Sequence, residues 1–142
     1  MIRESNNGNP KIALVPLFLI SPFLLYFPII NKYFVSDDFK VLNRVCLKKT
    51  ILIKGFFRPL SDITIYLNYK LGGFNPIVFN CFNLLVHGIN SLLLYIFCLR
   101  FGFTSDKRLN NQFAFVAGLL FLTYPFHNEG VAWLLGRGAS MS

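Results

Sequence analysis

The sequence predicts an all-α integral membrane protein. It has about three transmembrane helices, with a loop of interfacial amphipathic helices between the first and second. Three observations carry that expectation. The chain of 142 residues is 54% hydrophobic and only 14% charged, against about 45–50% apolar and about 25% charged in ordinary soluble domains. Its apolar residues fall in long runs, and mean hydropathy is +0.53. The basic residues lie between those runs and bring the formal net charge to +8. They gather on no basic helix or RNA-binding motif, so nucleic acid is not the expected partner. Anionic lipid headgroups or a lipid-linked phosphate are. Cys46, Cys81 and Cys98 form no Cys-x-x-Cys pair, so neither a zinc site nor a disulfide framework is indicated.

The first span is expected over 12–31. From Ile12 to Ile30 there is no charged residue, close to the ~20 residues that cross a bilayer as a helix. Pro16, Pro22 and Pro28 interrupt it, which membrane helices tolerate when neighbours re-satisfy the backbone. A signal peptide has a shorter apolar core of about 7–15 residues and a small-residue cleavage site. Here Asn31-Lys32-Tyr33 follows instead, so a retained anchor is expected.

Residues 32–73 form the large loop. Ser36-Asp37-Asp38-Phe39 opens it, two carboxylates side by side in a chain with six acids. Val41, Leu42, Val45 and Cys46 then recur at helical spacing, predicting a helix over 39–49 that Asp38 N-caps. After Gly55-Phe56-Phe57-Arg58-Pro59-Leu60, the residues Ile63, Leu67 and Leu71 repeat at the same period until Gly72-Gly73. Helices of this kind lie flat in the interface, apolar side down.

The second span, over 74–99, carries Asn80, Asn83, His87 and Asn90. At 100° per residue these fall within an arc of about 80°, giving one polar face. Such a face looks into a bundle or a wet cavity, either as interhelical hydrogen-bond glue or as the lining of a site. A polar connector, 100–108, precedes the third span over 109–126. Beyond it come His127, Glu129, Trp133 and Arg137. Glu129, Trp133 and Arg137 are spaced i, i+4, i+8, which lines one side of a helix.

Charge counting leaves the topology open. Loop 32–73 holds eight basic residues and the opposite side five, yet the positive-inside rule weights short, span-flanking connectors such as 100–108.

Four pieces in order, S-D-D-F, G-x-x-R-P-L, N-x-x-N-x-x-x-H-x-x-N and Y-P-x-H-x-E-x-V-x-W-x-x-G-R, resemble the N-terminal part of GT-C-type membrane glycosyltransferases. The likeness is to the transmembrane-and-TPR O-mannosyltransferases and their bacterial relatives. The resemblance implies an enzyme that takes a sugar such as mannose from a polyprenyl- or dolichyl-phosphate donor and gives it to a protein or glycan hydroxyl, with no separate cofactor. It implies that loop 32–73 is non-cytoplasmic and connector 100–108 cytoplasmic. The membrane would be the plasma or inner membrane in a bacterium and the endoplasmic reticulum in a eukaryote. It also implies further transmembrane helices, so a piece of a longer enzyme, a truncated frame or a degenerate copy is expected.

Within that chemistry, Asp37 or Asp38 is the candidate base for the acceptor hydroxyl, and Arg58 offers a planar fork to a phosphate. His87, His127, Glu129 and Arg137 are the other candidate substrate contacts. No ligand motif fits a metal. The alternative is a non-catalytic multi-span protein, an assembly or transport subunit. There the polar face of 74–99 is a packing seam and the Asp pair a cap.

Overall fold

The computed structural model describes residues 14–49, 58–124, Trp133 and Gly136. Among these residues five α-helices follow in order: α1 (Val15–Leu25), α2 (Ser36–Leu42), α3 (Pro59–Gly72), α4 (Pro76–Phe101) and α5 (Lys107–Thr123). No strand occurs among the described residues. α1, α4 and α5 form an up-down-up bundle, and α2 and α3 make a second layer at the end of the bundle where α1 finishes and α4 begins.

α1 ends where proline forbids it to continue. Leu25 is its last residue and a 3₁₀ turn, Phe27–Ile29, carries Pro28. Pro22 sits inside the helix and has no N–H to give the carbonyl of Phe18, four residues back. That carbonyl lies against Gly88 of α4, where an added Cβ would come within 2.7 Å of it. Gly118 of α5 meets the ring of Phe18 in the same way, at 2.9 Å. Small residues thus let three helices close around Phe18, which stacks on Tyr95 at 5.2 Å between ring centroids.

α4, at 26 residues, is the one helix among the described residues long and apolar enough to cross a membrane. α1 is an apolar helix of 11 residues, shorter than the run in which it lies because of Pro28. Asn75 caps α4 by accepting from the Ile77 N–H at 3.0 Å, and Gly102, at φ +71°, takes the left-handed conformation that ends it. Asp106 starts α5 the same way, accepting from the Arg108 N–H at 2.8 Å.

The loop helices differ from expectation in two respects. α2 begins at Ser36, so the N-cap is Val35 and Asp38 is the third helical residue. The helix does not run on regularly to 49; it passes into a π-helical turn, Asn43–Leu47. Secondly, Leu42, Val45 and Cys46 do not face a lipid surface. They are buried with Ile65 of α3 and Phe79 of α4 in a small core of their own. Only α3 presents its apolar stripe outward, with Leu60, Ile63, Leu67 and Leu71 exposed.

α3 is therefore inside out. Its inward face is Ser61, Asp62, Ile65 and Asn68, all buried. α4 repeats the pattern, with Asn80, Asn83, His87 and Ser91 buried and Ile89, Leu93, Phe97 and Phe101 exposed.

Candidate functional site

The second layer holds the acidic residues around which the candidate site is built. Val35 is extended (φ −109°, ψ 147°) and turns the chain into α2. Its N–H is one of the donors a helix N-terminus leaves unsatisfied. Asp38 reaches back to accept it through Oδ2 at 3.0 Å, as the third residue of a capping box does. Asp38 is 3% exposed. Asp37 points the other way, into solvent, and accepts a hydrogen bond from Lys40 Nζ at 2.8 Å. That bond and the nearby negative charge raise the Lys40 ammonium above its ordinary pKa. Two neighbouring carboxylates thus hold separate positions, one accessible and one built into the helix start.

A feature that sequence reasoning missed ties this layer together. Arg44, in the π-helical turn, donates to both carboxylate oxygens of Asp62 on α3, Nη1 to Oδ2 at 2.7 Å and Nη2 to Oδ1 at 2.9 Å. The Asp62 side chain is 4% exposed and that of Arg44 22%. The bidentate fork fixes both orientation and distance between α3 and the π-helical turn that follows α2. One signal in the sequence marks it: Asp62 is one of six acids and lies on the side of its helix opposite Ile63 and Leu67.

Arg58, at the N-cap of α3, is exposed, and its carbonyl accepts from the Asp62 N–H at 3.1 Å. Arg58 therefore enters the same layer as Asp37, Asp38, Arg44 and Asp62. An apolar cavity of about 340 Å³, lined by Tyr33, Phe34, Phe39, Leu42, Asn43, Leu47 and Phe74, opens on α2 and the π-helical turn that follows it. Burial pushes the Cys46 thiol up to about 11, which keeps it protonated at neutral pH.

His87 is placed elsewhere, within the bundle. Its Nε2 hydrogen-bonds the carbonyl of Leu122 at 3.1 Å, and the Tyr26 hydroxyl donates to the same oxygen at 3.1 Å. Leu122 belongs to the last turn of α5, whose carbonyls have no partner within the helix. Asn80 does the same for the 3₁₀ turn that follows α1: its Nδ2 reaches the carbonyls of Ile29, Ile30 and Lys32 at 3.1, 3.0 and 2.9 Å. Ser91 donates to Gly118 O at 2.6 Å. Much of the polar face of α4 therefore serves to satisfy backbone groups of its neighbours.

His127, Glu129 and Arg137 lie outside the described residues. Among the described residues, no group of three or more His, Cys, Asp or Glu is placed to hold a metal ion.

The described residues are helical throughout their elements, and the sequence is related to the transmembrane-and-TPR O-mannosyltransferases. It is 40% identical over 89 residues to the human protein O-mannosyl-transferase TMTC4, covering 57% of this chain and 12% of the relative. It is 39% identical over 83 residues to human TMTC1, covering 57% of this chain and 9% of the relative. To human TMTC2 it is 34% identical over 91 residues, covering 60% and 10%. The chain thus spans about a tenth of the length of these curated relatives. No family model matches the chain, and no solved structure matches it.

Proposed function

We propose that this chain is the N-terminal part of a GT-C-type glycosyltransferase embedded in a membrane. The enzyme transfers mannose from a polyprenyl- or dolichyl-phosphate donor to a protein or glycan hydroxyl. The observation that carries this reading is the relation to proteins named as O-mannosyl-transferases, in a chain whose first loop helix opens on Asp37 and Asp38. The membrane part rests on α3 and α4, whose apolar residues face outward and polar residues inward. That is the inverse of a helix solvated by water, and it suits α4 as a span continuous with an interfacial α3. The apolar runs 12–31 and 109–126, in which α1 and most of α5 lie, are the other two spans, and loop 32–73 is non-cytoplasmic.

In this reading Asp37 is the base, because its carboxylate is exposed while that of Asp38 closes the first turn of α2. Asp37 Oδ takes the acceptor hydroxyl's proton as that oxygen bonds to the sugar's anomeric carbon. The bond from that carbon to the phosphate oxygen breaks, and the lipid phosphate leaves with the electron pair. Lys40 steadies the carboxylate and Arg58 meets the phosphate, while His127 and Glu129 orient the sugar and Arg137 is a further substrate contact. The Arg44–Asp62 fork holds the π-helical turn after α2 at a fixed angle to α3.

One observation favours the non-catalytic alternative: Asn80, His87 and Ser91 are committed to backbone carbonyls, as in a packing seam. The two readings separate in membranes from cells expressing the full coding sequence, supplied with radiolabelled dolichyl-phosphate mannose. Asp37→Asn is expected to lower transfer by about 10²–10⁴-fold, the usual contribution of a general base. Asp38→Asn is expected to act through folding as well as rate. Transfer unchanged in both variants, or absent from the wild type, puts the packing reading in its place.

A further inference from the structure

The connector end of the bundle carries three cations that the fold does not use. Arg100 closes α4, and Lys107 and Arg108 open α5. The ion pairs Lys40–Asp37 and Arg44–Asp62 lie at the other end, and among the described residues no ion pair or side-chain hydrogen bond is made by Arg100, Lys107 or Arg108. The one acid of the connector, Asp106, is committed to the Arg108 backbone N–H. Beside these charges lies an apolar groove of about 350 Å³ between α4 and α5, lined by Cys98, Phe103, Phe113 and Ala117. That volume falls within the roughly 300–1,000 Å³ of small-ligand sites. Phe103 belongs to the connector itself, so groove and charges are continuous. The connector is also held in shape: the Phe103 N–H donates to Asn110 Oδ1 at 2.9 Å, and Asn110 Nδ2 donates to Leu99 O at 3.2 Å.

We propose that this end of the bundle binds one anionic phospholipid, with its headgroup on Arg100, Lys107 and Arg108 and an acyl chain in the Phe103–Phe113 groove. Charge complementarity selects the occupant. A helix of another protein would fill the groove but leave three cations unmatched, whereas an anionic lipid answers both features. Each Lys or Arg near an anionic headgroup adds to the attraction, so three of them give a preference of at least about tenfold over a zwitterionic lipid. The proposal goes beyond the glycosyltransferase reading and rests only on its membrane part.

The test is native mass spectrometry of the purified chain released from detergent, titrated with phosphatidylglycerol or with phosphatidylcholine. One phosphatidylglycerol is expected to be retained at least about tenfold more tightly than phosphatidylcholine. Arg100→Gln with Lys107→Gln and Arg108→Gln should abolish the preference. Ala117→Trp, which fills the groove and keeps every charge, should abolish retention, with helicity by circular dichroism confirming that each variant folds. Equal retention of the two lipids overturns the proposal. So does undiminished phosphatidylglycerol binding by Ala117→Trp, or displacement by millimolar inorganic phosphate, since either reduces the site to loop charge alone. Flotation with phosphatidylcholine vesicles isolates the membrane premise: a chain that does not float has lost that premise, while one that floats without lipid preference has lost this inference alone.

Discussion

Asn80 shows what a single side chain does here. An amide that serves three carbonyls at the end of the first apolar run does work that water does elsewhere. Removing it leaves those groups to desolvated surroundings, at about 1–3 kcal/mol. Asn80→Leu is therefore expected to destabilise the chain by that amount in a denaturant titration, although it makes α4 more apolar. Cys46 gives a second prediction at this scale. Its thiol is raised from 9.0 to about 11 by burial. Alkylation at pH 8 should run well below the rate for an exposed cysteine and approach it only after unfolding. The sign for stability follows. The unfolded chain loses this proton from about pH 9 and the folded chain retains it to about pH 11, so this contribution is complete below 9 and declines as pH rises through that window.

Between elements, the decisive contacts are polar or small rather than large and apolar. The Arg44–Asp62 fork is the clearest case, since it joins two helices of the loop layer with both partners largely removed from water. Breaking one side strands a charge. Asp62→Leu alone should cost more stability than Arg44→Met with Asp62→Leu together, because the double variant leaves no unmatched ion. A denaturation series on the two single variants and the double measures the difference; a double variant as unstable as the sum of the singles removes the pair as the link. Close approach is the other device. Gly88→Val is expected to separate α1 from α4, because its Cβ would meet the Phe18 carbonyl, a backbone atom with no freedom to move aside. The expected loss is about 1–3 kcal/mol. How much was legible also divides at this scale. The helical period of residues 59–72 was plain, and Pro59 and Gly72-Gly73 marked its ends. The pairing of Arg44 with Asp62, 18 residues apart, was not, because no local rule relates residues on two different helices.

For the whole molecule, the outward-facing stripe from Leu60 through Leu71 and on along α4 demands a non-aqueous partner. Large contiguous apolar surface of this kind marks interaction with membrane or protein. The spanning of α4 is tested by labelling. With Cys46, Cys81 and Cys98 replaced by Ser, Lys40→Cys and Ser105→Cys should react with a membrane-impermeant maleimide from opposite sides of sealed vesicles. Reaction from one side would remove α4 as a span. That Asp37 and Asp38 would lie in the loop layer was readable from their place just after the first apolar run. Which of the two would be accessible was not, since adjacent residues of a helix point about 100° apart and only the rotation of α2 on α3 and α4 decides which is covered.

The sequence by itself determined the class of element, the order of the elements and their apolar faces. These depend on composition and periodicity, which are local properties of the chain. It also carried the relation to the O-mannosyltransferases, because motifs in order need no coordinates. Only the tertiary structure decided that the α2 apolar face turns inward while that of α3 turns outward. It alone showed that Asp38 is the third residue of its helix and accepts from the Val35 N–H, and that Asn80 and His87 answer backbone carbonyls of neighbouring segments. The physical reason is common to all three. A polar or apolar side chain carries the same chemistry wherever it stands, and what it does is fixed by which unsatisfied group or surface the packing of distant segments brings against it.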